Sequence, residues 1–420
     1  MSRVTTALRS ASYGWVIVVV AALAMVATLP GRTHGLGMIT ERLLADQRFH
    51  LDRISYSTIN LWATLLGGLF CLPCGWLIDR FGLRVTLTAT VAALAAAVIW
   101  MTRVSDASQL TLALLLTRGF GQSALSVISI TMVGKWFPDR PSLPMAIYSL
   151  LLSLGFAFAP QIAKGWAEAD WRVVWGGMGY VLLAFVPIAL AVTRDPPTKL
   201  APEEPLNRDT TDVVPDSFTL GEALGTSAFW LFGITISLVA LIGSGLSLFN
   251  ESVLKEQGFP AEVYYNLITF TGIVGLIAKL PIGWLGQRVP LNRLLAVGLF
   301  LQAVSMACLP LIDTLMGIRL YGVGMGIAGS ITTVMFFTVW SHAFGRAYLG
   351  QIQAVSQMMT VLASALGPRV FAECFSRFGS YKPAFLVLSI VTLALAGWSC
   401  QVRVPRPEDA PHANLALQST

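Results

Sequence analysis

The chain has 420 residues, 55% of them hydrophobic and only 12% charged, with a mean hydropathy of +0.69, whereas a soluble domain carries about 25% charged residues. This excludes an ordinary soluble domain and indicates a polytopic membrane protein. The net charge of +6 comes from basic residues scattered over many short loops, a pattern of membrane orientation and not of a nucleic-acid footprint.

Apolar stretches of about 20 residues, each enough to cross ~30 Å of hydrocarbon at 1.5 Å per residue, predict twelve helices. They run over 13–38, 54–78, 84–102, 109–133, 144–163, 173–193, 227–250, 263–285, 293–312, 315–339, 348–371 and 383–402. The first, preceded by Arg3 and Arg9, continues without a small-residue cleavage site and is expected to be retained rather than removed as a signal peptide. The polar stretch 194–226, rich in proline and acids, reads as a linker between an N-terminal bundle over 1–193 and a C-terminal bundle over 227–403, followed by a tail over 404–420. Thr219 to Leu224 is expected to form a short surface helix. Lys and Arg are more numerous on the side that holds both termini, which predicts a cytoplasmic location for these. Trp15, Trp76, Trp171, Trp284 and Trp398 fall near span ends and read as interfacial anchors.

The two bundles repeat each other. Leu72-Pro73-Cys74-Gly75-Trp76-Leu77 leaves the second span and Leu280-Pro281-Ile282-Gly283-Trp284-Leu285 leaves the eighth. Arg118-Gly119-Phe120-Gly121 in the fourth span is paired with Arg319-Leu320-Tyr321-Gly322 in the tenth, which makes Arg118 and Arg319 symmetric partners. Repeats about half a chain apart mark pseudo-symmetric transporters. Cys71 and Cys74 form a C-x-x-C with no second pair or histidine cluster, so no metal site is expected. No nucleophile–base or phosphate-loop constellation occurs, so neither an enzymatic activity nor a cofactor is expected.

Gly75-x-Leu77-x-Asp79-Arg80-x-Gly82-x-Arg84 resembles the signature loop of the major facilitator superfamily, with Leu83 where a basic residue is usual, and Arg118 with Gly121 resembles its fourth-helix arginine motif. The resemblance covers about residues 13–402. It implies an all-α membrane protein of two six-helix bundles that transports by alternating access, acting as a monomer in the cytoplasmic membrane. Tyr13-Gly14-Trp15, Pro30-Gly31-Arg32 and Thr219-Leu220-Gly221-Glu222-Ala223-Leu224 before Phe229-Trp230 are similar to stretches of the monocarboxylate porters and the oxalate/formate antiporters. Those porters place an arginine beside the eighth-helix proline with an aspartate one turn earlier. Here Lys279 stands two residues before Pro281 and Gly275 stands one turn earlier, so the resemblance carries over a cation but not the acid. The antiporters carry a lysine in the eleventh helix where this chain has Gln353 and Gln357.

Arg32, Arg118, Lys279, Arg319 and Arg369 fall in or near spans, while no Asp or Glu falls clearly within one. A charge at the bilayer centre costs at least ~2.5–3.5 kcal/mol, so such groups face a partner or a watery path. A small organic anion, a monocarboxylate in particular, is the natural missing partner. Lys279 is the leading candidate contact, its first-half counterpart being Cys71. Arg32, His34, Asn60, Arg118, Arg319, Gln353 and Gln357 are the further candidates, each also readable as a structural hydrogen-bonding group, and Arg369 belongs to a rim. Gly75, Asp79, Arg80, Gly82, Arg84, Gly283 and Arg288 read as a gating set in which Asp79 and Arg80 pair across the interface or cap a helix end. The second copy has Gln287 where the first has Asp79, so the stronger latch is expected in the first half. A coupling proton or counter-anion is left open by the missing carboxylate. Rival readings are an amphiphile or drug transporter indifferent to Lys279, and a ligand-binding membrane receptor without flux.

Overall fold

The computed structural model describes residues 2–49, 51, 53–137, 141–164, 170–196 and 217–411. Among them every regular element is a helix. In chain order, α1 is Ser2–Val26; α2 is Arg53–Gly68 continued over 71–81; α3 is 83–101; α4 is Ala107–Trp136; α5 is Ser142–Lys164; α6 is Trp171–Val192. The second half comprises α7 (Ser227–Glu256), α8 (Ala261–Leu285), α9 (Leu291–Cys308), α10 (Leu315–Phe344), α11 (Leu349–Phe378) and α12 (Lys382–Gln401).

Ten stretches of described residues are long and apolar enough to cross a membrane. One of them, Ser55–Met101, has 47 residues, about 70 Å of helix and twice what a bilayer needs. Gly82 divides it. With φ of +82° it holds a conformation that disfavours any side chain, and a Cβ there would lie 2.8 Å from the Asp195 carboxylate. That carboxylate accepts the Leu83 N–H at 2.6 Å and so caps α3 from the end of α6. With α5, whose apolar part is Ser142–Phe158, the set fits twelve crossings. Val181, Ile277 and Ile390 stay exposed on the flanks, the arrangement of a hydrocarbon-facing belt.

Three differences from the sequence expectation have local causes. The first span is not one helix over 13–38: α1 stops at Val26, a 3₁₀ turn covers Leu29–Gly31, and a short helix covers Thr33–Gly37, because Pro30 lacks the N–H that a continued helix needs. α7 is longer than expected, reaching Glu256, whose carboxylate accepts the Ser380 hydroxyl and the Tyr381 N–H and anchors the start of α12. Val402 to Ala410 of the tail packs back on the second bundle, with Ala410 fully buried. The linker residues 197–216 and the tail residues 412–420 lie outside the described residues, but the short helix of the linker is present as Leu220–Leu224, closed by a reciprocal Thr219–Glu222 capping box.

The halves meet most extensively at two crossings, α2 against α11 and α5 against α8, with further contacts of α4 on α10 and α11 and of α5 on α10. One constant offset of 208 residues relates Gly75 to Gly283, Asp106 to Thr314, Ser142 to Gly350 and Ala146 to Ala354. Asp106 and Thr314 are the N-caps of α4 and α10, so the offset holds for these helices as well. The pairing of Arg118 with Arg319 is therefore corrected. Arg118 corresponds to Gly326, and the apparent match was slipped by seven residues. Seven residues are about two helical turns and preserve the face, which is why the motif comparison did not detect the slip.

At the end of the bundle away from Gly82, the Asp46 carboxylate accepts from the Arg172 guanidinium at 2.5 Å, the Arg48 N–H at 3.2 Å and the Trp171 indole at 3.3 Å. Burial pushes the Asp46 carboxyl up, but these hydrogen bonds and the Arg172 charge together hold it below the usual carboxylate range. Its contribution to stability is thus full above the ordinary value of ~3.9 and is lost as pH falls through the depressed one. Replacing Asp46 with Asn should lower the thermal midpoint in detergent at pH 7, the direction set by losing ~1.5–3 kcal/mol of hydrogen bonding to a charge. The gap between wild type and variant should close once pH drops well below ~4.

Candidate functional site

The break in the first span positions one side of the interior. A Cβ on Gly31 would lie 2.5 Å from the Thr117 carbonyl and 2.8 Å from the Gln122 N, so the 3₁₀ turn packs backbone to backbone on α4. At this contact α4 widens into a π-helical segment, Arg118–Leu125. Arg32 and Thr33 leave the turn directly beside it. The Arg32 guanidinium donates to Thr28 Oγ1 (2.7 Å), Met25 Sδ (2.9 Å) and Ser126 Oγ (3.1 Å), and lies 5.1 Å from the centre of the Phe156 ring.

Arg118 is 3% exposed. It donates to Gln122 Oε1 (2.7 Å), Asn60 Oδ1 (3.0 Å) and Thr33 Oγ1 (3.2 Å), while its Nε finds no partner among the described residues. All of these acceptors are neutral. Arg32 and Arg118 also oppose each other electrostatically, so this cluster holds positive charge that its hydrogen-bond partners among the described residues, all neutral, leave uncompensated.

Lys279 comes from the other half. It is 9% exposed, and its ammonium donates across the boundary to the Ser149 carbonyl (3.1 Å) and the Ser153 hydroxyl of α5. Ser149, Ser153 and Phe156 stand at i, i+4 and i+7, one face of one helix. Lys279 and Arg32 therefore contact that face from opposite halves, at residues of α5 about one turn apart. Beside Lys279 lies a cavity of about 660 Å³ walled by α5, α7, α8 and α10.

The other candidates fall in different places. Asn60 belongs to the Arg118 cluster. Gln353 and Gln357 are buried on α11, with Gln353 Nε2 and Gln357 Oε1 unpartnered among the described residues. Arg319 and Arg369 are exposed. His34 stands in the Thr33–Gly37 helix, and its side chain lies outside the described residues. Ser149, Ser153, Ser126 and Phe156 were not singled out from the sequence. Serines one turn apart in an apolar run were the available signal.

The Gly75 loop occupies the half-to-half contact at one end of the bundle. Asp79 accepts the N–H groups of Gly350 (3.1 Å) and Gln351 (2.9 Å), in the first turn of α11, and pairs with Lys135 at 2.7 Å. A Cβ on Gly75 would lie 2.5 Å from both the Gly350 carbonyl oxygen and Ala354 Cβ. On the symmetric side a Cβ on Gly283 would lie 2.3 Å from Ala146 Cβ, but at the loop itself the polar link is a neutral hydrogen bond from Ser142 Oγ to the Gly286 carbonyl (3.2 Å), and Gln287 is exposed. The two Lys279 bonds lie one turn back along α8. Arg84 serves its own half by donating to the Leu190 carbonyl at 2.7 Å, Arg288 lies over the Trp284 ring at 4.0 Å, and Arg80 is exposed.

Known proteins share this architecture. The E. coli fucose:proton symporter FucP, in its outward conformation, superposes with a TM-score of 0.67 at 14% identity, covering 92% of this chain and 99% of that one. An oxalate:formate antiporter of Oxalobacter formigenes is 23% identical over 326 residues, covering 76% of this chain and 75% of its own. Monocarboxylate transporter 13 of Rattus norvegicus is 26% identical over 181 residues, 39% of this chain and 42% of its own. The family profile of the Major Facilitator Superfamily matches residues 5–368 and again 251–417. With two related helical bundles, a lysine bonded across their boundary and a profile match spanning most of its length, this chain belongs to the Major Facilitator Superfamily, a family of membrane transporters and not of enzymes.

Proposed function

We propose that the protein is a secondary transporter that moves a small organic anion, a monocarboxylate in particular, across the cytoplasmic membrane by alternating access. The observation that carries this reading is that Lys279 of the second half and Arg32 of the first both contact residues on one face of α5, with neutral groups as their partners. A carboxylate at Lys279 would supply the missing charge through charge-assisted hydrogen bonds, and Arg32 would add to the potential that draws it in. The relatives named for oxalate and formate exchange and for monocarboxylate transport support the class of substrate.

In this reading both termini and the Gly75 loop lie on the cytoplasmic side. Asp79 on the first turn of α11 holds that side shut, and it holds more firmly than the symmetric contact because only the first half brings a carboxylate to a helix N-terminus. The glycines at 75, 350 and 283 let the helices close to backbone distance, and every opening of the cytoplasmic side breaks these contacts.

Counterflow in proteoliposomes tests the site. Lactate, pyruvate, formate and oxalate are compared with a neutral control, and Lys279→Ala and Arg32→Ala are compared with wild type. Lys279→Ala should reduce carboxylate exchange at least tenfold, as removal of a ~1.5–3 kcal/mol hydrogen bond to a charge requires. Full carboxylate activity in both variants, or uptake of the neutral compound alone, would reject the anion site.

The latch is tested separately. Asp79→Asn should cut the exchange rate while leaving substrate affinity within a few-fold. Losing ~1–2 kcal/mol shifts the balance between closed and open forms by about 5–30-fold. Spin labels at the exposed positions Val85 and Gln287 should report a larger population of long distances in the variant. An unchanged distance distribution together with normal transport removes Asp79 from gating.

A further inference from the structure

The cavity beside Lys279 is larger and more apolar than an anion of one to three carbons requires. Its volume is about 660 Å³, in the range of sites for drug-sized ligands. Along α8 it reaches from Leu267 to Lys279, about 18 Å of helix. Leu154 and Ala157 of α5, Leu246 of α7, Leu276 of α8 and Met325 of α10 form apolar walls. Among the described lining residues Lys279 is the one charged group. Its ammonium has three N–H donors and spends two on Ser149 and Ser153, which leaves one without a protein partner among the described residues. Arg32 and Arg118 lie outside these walls, so the cavity offers a single cation at one end and a mostly apolar surface along its length, interrupted by neutral polar groups such as Asn250, Thr271 and Tyr321.

We propose that this cavity takes an amphiphilic monocarboxylate, its carboxylate at Lys279 and a medium-chain alkyl or aryl body along α8. The inference rests on the anion-transport reading and narrows its substrate. A short anion would leave the apolar walls facing water, whereas an apolar body displaces that water at a gain of about 0.8 kcal/mol per methylene, close to fourfold in affinity. One charge favours a monoanion, since the second carboxylate of a dianion would lie in a mostly apolar region whose described polar groups are all neutral, with no cation to meet it. Gly272 and Gly329 both line the cavity, and a Cβ on either would meet nothing within 4 Å. Side chains at these positions would project into open space and fill the ligand's volume without displacing a helix.

The experiment measures binding of acetate, butanoate, hexanoate and octanoate, with octanedioate and octanol as controls, to the full chain in lipid nanodiscs by calorimetry. Affinity should climb by up to about fourfold per added methylene, with octanedioate and octanol at least tenfold weaker than octanoate. Lys279→Gln should weaken every monocarboxylate, while Gly329→Leu should abolish the gain from chain length, lowering octanoate affinity at least tenfold more than acetate affinity. Thermal melting of both variants confirms folding, and Gly272→Leu serves if Gly329→Leu melts early. Equal, Lys279-dependent affinity from acetate to octanoate would overturn the apolar body while leaving the anion site standing. Absence of Lys279-dependent binding for all four acids would overturn both. Octanoate binding that ignores Lys279→Gln and Gly329→Leu would show a lipid-like contact outside the cavity and would likewise overturn the proposal.

Discussion

The structure depends on how closely two helices can approach where the halves touch. At Gly75 and Gly350 a Cβ on either residue would lie about 2.5 Å from the partner backbone, and at Gly283 it would run into Ala146. Within hydrocarbon there is no hydrophobic gain in pressing one apolar helix against another, so close van der Waals contact at small residues and a few polar links carry the association. One of the two crossings adds a carboxylate on a helix N-terminus. The crossing fixes where α2 and α11 lie, and the symmetric one fixes α5 against α8. That second contact brings Lys279 to Ser149 and Ser153.

Duplication supplies the scaffold, and departures from it supply the chemistry. Under the 208-residue offset, Asp79 faces Gln287, Cys71 faces Lys279 and Arg118 faces Gly326. Each pair keeps its place in the helix packing while only one member carries a charge. Gly67 packs on Arg118 and Gly119 much as Gly275 packs on Gly326, so the backbone contact is retained where the side chain differs. The cations therefore do not sit on the pseudo-twofold axis relation. The first half contributes two from the turn after α1 and the widened segment of α4, and the second contributes one from α8. A charge duplicated with the scaffold would double the desolvation cost without a second partner.

Much of this was legible in the sequence for identifiable reasons. Hydropathy reads span number directly, since each crossing must satisfy its backbone internally and present apolar side chains to lipid. The loop around Asp79 was legible because glycine, acid and arginine at the end of an apolar run are costly residues there, and Lys279 for the same reason. The break between Val26 and Thr33 was less so, although Pro30 and Gly31 mark it, because the segment stays apolar throughout. The π segment at Arg118–Leu125 was invisible: one extra residue in a turn leaves composition unchanged. Arg118 and Arg319 were mispaired because a two-turn slip keeps the helix face, and only the caps at Asp106 and Thr314 set the register. Ser149 and Ser153 carried no charge and no motif, so their role emerges only when α8 is laid across them.

Lys279 joins the two themes. Its ammonium is a tether, since both its bonds cross from one half to the other, and in the proposed function it is also the anion's contact. Any movement that separates α5 from α8 near Ser149 must release these bonds, and an ammonium in a mostly apolar site has only neutral polar groups such as Ser330 and Thr333 to replace them. A bound carboxylate offers a stronger acceptor than a serine hydroxyl and travels with the lysine instead of remaining on α5. The free energy of binding is then spent at the place where the halves must part. The same arrangement explains why the cation stands beside the crossing rather than deeper in one bundle: a lysine satisfied wholly within its own half would bind an anion equally well in either state and would shift no equilibrium between them.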